Sequence, residues 1–472
     1  MKRKQLWQRI AAMPRGWTAA LALALGFGAY SMMAASEPTR APTTDGTARL
    51  TVHGERGPVS APQEARALAA VGAEGGEALL RAHLQALTSG GEVDLYRGNQ
   101  ARLLVDGPAT FRAMKAAISK AQRRILLESY IVEDQGIAAE IGALLIRKAA
   151  EGVRVALMYD AVGSIATPEE FFRRLDEGGV ATCAFNPLDP TQRPGVWGVT
   201  HRDHRKMLVV DDEVAFAGGI NISRVYGSGS ASRRKSKDDA LDDGWRDTQI
   251  ELRGPAAPAM ASFFAQTWQQ QGCKGGIGRL PPPSTVREPG ERIVKLLASD
   301  PRDESNRIYG ALLGAVQASQ RSVRLTMAYF APGEEFVAAL AAAARRGVEV
   351  EMVLPGRSDF ALILHAGRSY YTQLLEAGVK LYEMEHAMMH AKTAVIDGVF
   401  STVGSSNLDW RSLVANNELN VIVLGEAFGT QLEALFAKDR EASVPVDVLR
   451  WQQRGLPQRG LELFGRAAER WL

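Results

Sequence analysis

Two histidines and their neighbours are the residues of this chain best suited to chemistry. His204 is followed by Lys206, Asp211 and the tail Gly218-Gly219-Ile220-Asn221; His390 is followed by Lys392, Asp397 and Gly404-Ser405-Ser406-Asn407. Each position of the first string stands 186 residues before its counterpart in the second. A single His-x-Lys-x4-Asp string arises by chance in roughly a few per cent of chains this long, so a register-perfect pair with the same tail is no accident. A histidine and a lysine two apart on a strand project from one face and reach one ligand. Asp397-Gly398, between Thr393-Ala394-Val395-Ile396 and the run from Val399 to Val403, is a hairpin signal that swings Asn407 back beside them. Imidazole supplies a nucleophile or proton carrier, ammonium supplies charge for phosphate oxygens, and the amide supplies further donors. Two such sets facing one another would make a cationic pocket for a phosphodiester, with no metal required. The catalytic candidates are therefore His204, Lys206, Asp211, His390, Lys392 and Asp397, with Asn221, Ser405 and Asn407 as substrate-binding candidates. Asp211 and Asp397 complete the pattern, but their turn positions favour a structural task. Gly219 stands where the second string has Ser405, so a hydroxyl contact to phosphate is expected in one half only.

The elements that must carry these residues are also duplicated. Ile125 to Val132 reads as a strand, Ile137, Ile141, Leu144 and Leu145 recur at helical spacing, Gly152 closes that helix, and Val153, Val155 and Leu157 alternate. In the second copy Val323 to Phe330 leads to Phe336, Leu340 and Ala344, then Gly347, then Val348, Val350 and Met352. The expected fold is α/β: two similar halves, each a mixed sheet flanked by helices, with the active site at their interface. The expected division is a signal or anchor over 1–35, a flexible tether over 36–80, a first half over 81–285 and a second over 286–472.

The duplicated motif resembles that of the phospholipase D superfamily, and the likeness runs from about Leu95 to the carboxyl end. Leu127-Glu128-Ser129-Tyr130-Ile131, Tyr159-Asp160-Ala161-Val162-Gly163-Ser164, Gly244-Trp245-Arg246-Asp247, Ala328-Tyr329-Phe330-Ala331-Pro332 and Asn407-Leu408-Asp409-Trp410-Arg411-Ser412 are similar to stretches of bacterial cardiolipin synthases. The resemblance implies a phosphatidyl group carried covalently on His204 and passed to a second lipid alcohol, with His390 as acid and then base. Lys206, Lys392, Asn221 and Asn407 would hold the phosphate. It also implies an acidic residue past each Asn that fixes a histidine tautomer. Glu418, eleven residues after Asn407, matches in the second half, and Asp247 is the candidate in the first. The substrate would be a phospholipid, phosphatidylglycerol foremost, met at a membrane surface and without a cofactor. Hydrolysis to phosphatidic acid shares the same intermediate and stays open. A nuclease or an inactive lipid-binding scaffold fits less well, the first for want of a basic groove, the second because binding alone does not require two histidines.

Composition agrees. The 472 residues carry 56 basic and 53 acidic side chains, a balance that gives no field for a polyanion, so nucleic acid is not expected as a partner. Lys2, Arg3, Lys4, Arg9 and Arg15 precede an uncharged stretch from Trp17 to Ala35, which fits a cleaved signal and a retained anchor equally. The positive-inside bias sends the body across, to the periplasmic side of a bacterial inner membrane. His201 and His204 do not suggest a metal site, since no third ligand is near. Arg233-Arg234-Lys235 with the following aspartates reads as a solvated insertion, and Trp451 to Leu472 as a packing helix. Cys183 and Cys273 show no metal spacing and are expected as ordinary free thiols.

Overall fold

A computed structural model describes residues 50–469 apart from 73–75, 89–92, 189–199, 231–243, 276, 279–286 and 302–305. The expected signal or anchor, the tether up to residue 49 and the loop around Arg233 lie outside the described residues. Among the described residues no helix is long and apolar enough to cross a membrane.

The first repeat builds a sheet from β1 (Val93–Val105), β2 (Arg124–Ser129), β3 (Arg154–Asp160), β4 (Ala181–Phe185), β5 (Met207–Val210), β6 (Val214–Gly218) and β7 (Thr248–Arg253). Its order is β4-β3-β2-β5-β6-β7-β1, with β2, β3 and β4 parallel and the remaining pairings antiparallel. The second repeat, β8 (Arg292–Ser299), β9 (Ser322–Met327), β10 (Glu349–Pro355), β11 (Lys380–Met384), β12 (Lys392–Ile396), β13 (Phe400–Gly404) and β14 (Asn416–Leu424), has the same order: β11-β10-β9-β12-β13-β14-β8. Equivalent edge strands join the sheets, since β1 and β8 pair antiparallel with Val294 opposite Tyr96. The duplication read from the sequence is thus a duplication of topology.

Helices on both faces explain why the central strands β2 and β12 are buried along their whole length. Leading strand and helix lie as the periodicity predicts: Ile137–Ala150 buries Ile141, Leu144 and Leu145, and Glu334–Arg345 buries Phe336, Val337 and Leu340. Gly152 and Gly347 close them at φ +89° and +92°, left-handed values that cost a side chain about 1 kcal/mol. One core lies within each repeat. A third is shared, with Met207, Ile250 and Phe264 of the first packing beside Leu296, Val421 and Phe428 of the second.

Three expectations are corrected. The tether does not reach residue 80: Leu50–Gly54 is a strand parallel to β1, and α1 (Glu77–Thr88) is a helix. Nor do residues 81–88 belong to the first half, because Leu80 and Leu87 of α1 pack in the second repeat's core with Ile308 and Leu312. The apolar spacing of α1 was obscured by the proline- and glycine-rich stretch ahead of it. Cys183 on β4 and Cys273, just past the helix Ala256–Gln270, form a disulfide with Cα atoms 5.7 Å apart. That helix brings its carboxyl end to β4, an approach that a separation of 90 positions conceals in the sequence. The closing helix, α2 (Leu456–Ala468), does pack, but through Glu462, Gly465 and Ala468 rather than its leucines.

The motif aspartates sit at the hairpin tips. Asp211 and Asp212 turn β5 into β6, and Asp397 and Gly398 turn β12 into β13, all four at positive φ. The Asp211 carboxylate accepts the backbone N–H groups of Gln122, Arg123 and Arg124 at 2.7–2.9 Å. Asp397 accepts those of Gln320, Arg321 and Ser322 at 2.7–3.0 Å and also meets buried His83 Nε2 of α1 at 3.0 Å. Each stands on the order of 20 Å along its strand from the motif histidine. Neither is brought into the site, which corrects their grouping with the catalytic residues. Asp397→Ala strands three backbone donors and His83, so a loss of about 2–4 kcal/mol in urea unfolding is expected, with turnover per folded molecule unchanged. Unchanged stability with lost turnover would return Asp397 to the chemistry.

Candidate active site

The two histidines meet where the repeats exchange backbone. Arg202 and Asp203 pair in parallel with Asn416 and Asn417 at the start of β14, and His204 N–H donates to Asn417 O at 3.0 Å. In the mirrored arrangement His390 N–H donates to Arg246 O at 2.8 Å and Arg246 N–H to Met388 O at 2.8 Å. Each motif strand therefore runs beside the segment of the other repeat that bears the acidic residue.

The side chains follow. His204 Nδ1 lies 2.9 Å from Glu418 Oε1, and His390 Nδ1 lies 2.7 Å from Asp247 Oδ2. The expected carboxylates are both present, and each holds the histidine of the opposite repeat. A carboxylate only accepts, so Nδ1 of each ring carries the proton and Nε2 the lone pair, which in His390 lies 3.2 Å from Lys392 Nζ. Burial explains the electrostatics. It lowers both histidine pKa values, His390 well below the ordinary range with Lys392 adding to the effect, while Glu418 opposes the shift at His204. Burial likewise lowers Lys206 to about 7 and Lys392 to about 8, and raises Asp247 to about 6.

Lys392 Nζ lies 2.9 Å from His390 Nδ1, and Lys206 Nζ stands 5.3 Å over the Tyr130 ring. The two lysines, one from each repeat, are close enough that the charge of Lys392 adds to the lowering of Lys206. Of the substrate-binding candidates, Asn407 is buried with its Oδ1 unpartnered among the described residues. The other two engage protein groups. Asn221 Oδ1 accepts Ile131 N–H at 3.1 Å and its Nδ2 donates to Tyr226 OH at 3.3 Å, while the Ser405 hydroxyl donates to Glu418. Gly219 has a complementary reason: a Cβ there would collide with Asp247 Oδ1. The longer Glu418 is steadied by a serine, and the shorter Asp247 fills the space a glycine leaves.

Several residues near the histidines carried no signal in the motif. Tyr130 packs edge-on to His204 at 5.1 Å. Around His390 stand Tyr329 at 6.1 Å and Trp245 at 4.8 Å, and Tyr226 OH reaches Nδ1 at 3.2 Å. Counted from the motif asparagines and carboxylates, the counterparts of Tyr226 and Trp245 are Ser412 and Asn416. His390 thus has the more aromatic surroundings. Asp160 accepts Asp203 N–H at 2.9 Å and bonds Arg202, fixing the segment before His204. His201 Nε2 meets Asn417 at 2.8 Å, and no cluster able to hold a metal occurs among the described residues.

The family model described as cardiolipin synthase, PLD-like domain matches residues 114–227 and 312–440, the two repeats that carry the histidines. The chain belongs to this family. It is a phosphatidyltransferase of the phospholipase D superfamily. Cardiolipin synthase of Geobacillus thermodenitrificans (strain NG80-2) is 33% identical over 373 residues, covering 78% of this chain and 71% of its own length. Cardiolipin synthase A of Pseudomonas entomophila (strain L48) is 33% identical over 387 residues, covering 79% and 77%. The crystal structure of phosphatidylserine synthase from Haemophilus influenzae Rd KW20 superposes with a TM-score of 0.60 at 14% identity, over 79% of this chain and 95% of that one, and so shares the fold.

The shifted pKa values give a phosphatidyltransferase of this kind a definite pH response. Asp247 stays a carboxylate only above about pH 6, and burial keeps His204 a neutral ring through its ordinary titration range, so kcat/KM is expected to fall as pH drops below about 6. Lys206 and Lys392 lose their charge as pH rises through about 7 to 8, so kcat/KM for an anionic phosphodiester is expected to fall again there. A bound phosphodiester favours the ammonium form, which moves the alkaline limb of kcat above that of kcat/KM. Rate profiles between pH 5 and 10 measure both limbs. A flat kcat/KM from pH 6 to 9 would contradict the arrangement.

Proposed function

We propose that the enzyme forms cardiolipin by moving a phosphatidyl group from phosphatidylglycerol to a second phospholipid through a phosphohistidine on His204. The observation that carries this reading is the crossed pair of histidine–carboxylate contacts, which leaves two Nε2 atoms at one cationic site. His204 Nε2 attacks phosphorus, the P–N bond forms, and the P–O bond to glycerol breaks as His390 Nε2 delivers its proton to the leaving oxygen. The incoming lipid hydroxyl then gives its proton to His390, its oxygen bonds phosphorus, and the P–N bond breaks. His390 must be protonated to act first as acid, although burial beside Lys392 disfavours that in the empty site. A phosphodiester anion between the lysines reverses the balance, so the substrate's own charge arms the acid. Lys206, Lys392 and Asn407 hold the phosphate, while Asn221 and Ser405 act on it through Tyr226 and Glu418.

The same reading puts the catalytic body on the periplasmic side of the inner membrane. Five basic residues ahead of the apolar stretch support it, and the Cys183–Cys273 disulfide supports it independently, because such bonds persist in oxidising compartments. An alkaline phosphatase fused at the carboxyl end should be active in cells; inactivity, with a fluorescent cytoplasmic reporter at the same position, would place the body inside.

Purified protein given labelled phosphatidylglycerol in vesicles should yield cardiolipin and glycerol. Phosphatidic acid with no cardiolipin would make the enzyme a hydrolase. His204→Ala and His390→Ala should each lower turnover by at least about a thousandfold, with losses that do not add in the double variant. Mass spectrometry of the unaltered enzyme denatured at neutral pH during turnover, which spares the acid-labile P–N bond, should find the phosphatidyl adduct on His204, and an adduct on His390 in the His204→Ala protein would reverse the two roles.

A further inference from the structure

The carboxyl-terminal helix combines a firm seat with an apolar exterior. Gly465 of α2 lies so close to Ala366 that a Cβ would meet its backbone nitrogen, and Glu462 is buried against Arg454 at 2.9 Å. Tyr370 OH donates to Glu469 at 2.6 Å, and the Arg466 guanidinium stacks 3.7 Å over the Tyr370 ring. None of these contacts uses the large apolar side chains. Leu456 is 81% exposed, Leu463 71% and Phe464 60%, with Leu461 also exposed, and Leu449 on the preceding short helix is 67% exposed. Lone exposed leucines need no explanation, but a cluster of them on an anchored helix marks an interaction surface.

Charge and position identify the partner. Between residues 448 and 468 the exposed charged side chains are Arg450 and Arg459; the one carboxylate of that stretch, Glu462, is buried. Asp447, just ahead, caps the short helix by accepting Arg450 N–H. The helix that Gly465 touches, Ala361–Arg368, begins beside exposed Phe360 and packs through Ile363 and Ala366 near Tyr329, whose ring faces His390. The exposed carboxylates at the margin of this face are engaged, Asp447 in the helix cap and Glu334 with Arg466, so apolar residues edged by Arg450 and Arg459 fit the headgroup layer of an anionic bilayer, where leucine and phenylalanine enter the acyl boundary and guanidinium meets phosphate.

We propose that α2 and the short helix before it form the surface on which this enzyme docks to an anionic phospholipid bilayer, so that the wall of the site nearest His390 faces the leaflet. The inference rests on the lipid substrate proposed above and adds how that substrate is reached.

Hydrogen exchange of the full chain tests it by position. Vesicles containing phosphatidylglycerol should slow exchange across residues 456–466 relative to lipid-free protein, and unchanged exchange there would overturn the proposal. Slowing that follows protein concentration without lipid would overturn it too, assigning the face to a second copy of the chain. The Leu463→Glu/Phe464→Glu variant should lose at least about tenfold in turnover on vesicles, yet stay within about twofold on monomeric short-chain phosphatidylglycerol. Equal losses on both substrates would mean a structural effect and count against docking. If the unaltered enzyme releases no glycerol from the short-chain lipid, the transfer reading fails, while the exchange measurement still decides the docking surface.

Discussion

Each motif histidine is oriented by a carboxylate from the other repeat, and the remainder of the architecture serves that exchange. A buried imidazole beside a lysine needs an acceptor at Nδ1 to present Nε2 in one orientation. Glu418 and Asp247 can supply it only if the start of β14 lies beside His204 and Arg246 lies beside His390. The backbone bonds from His204 N–H to Asn417 O and from His390 N–H to Arg246 O secure that alignment. The shared core and the β1–β8 edge pairing hold it from behind. Arg246 adds a buried ion pair to Asp439 at 2.7 Å, and such a pair is worth more as a register device than as net stability.

Pseudo-symmetry supplies two similar histidines, but a transfer reaction needs two different ones. The difference lies around the rings. His204 has Tyr130 at its edge and its carboxylate steadied by Ser405; His390 has Trp245, Tyr329 and the Tyr226 hydroxyl, with Asp247 in the space left by Gly219. A more enclosed ring beside a closer lysine holds its proton less readily when the site is empty. It therefore answers more strongly to an arriving anion, which suits the acid and base role proposed for His390.

Much of this was legible in the sequence, for physical reasons. His204, Lys206, Asn221 and their counterparts lie at the open end of one strand-turn-strand unit, so spacing alone brings them together there. Strand and helix positions of both repeats followed from periodicity and from Gly152 and Gly347. Features set by distant contacts did not. Glu418 and Asp247 were visible as acids, but nothing local says that they cross between repeats. Tyr226 and Trp245 look like any core aromatics, Cys183 and Cys273 meet only because a helix crosses the sheet, and α1 docks on a repeat that begins some 200 residues later. In the closing helix, apolar spacing suggested packing, whereas Gly465 and Ala468 do the packing and the leucines face out.

The crossing also has a consequence for the order in which the protein comes into being. A growing chain that has released only its first repeat carries His204 without Glu418, and Asp247 with no ring to hold. Helix α1, the second described helix to be synthesised, waits for Asp397 and the core around Leu312 before it has a surface to rest on. The oldest part of the molecule is thus finished by the youngest. A polypeptide that ends before β14 has His204 and Lys206 but lacks the carboxylate that orients the ring.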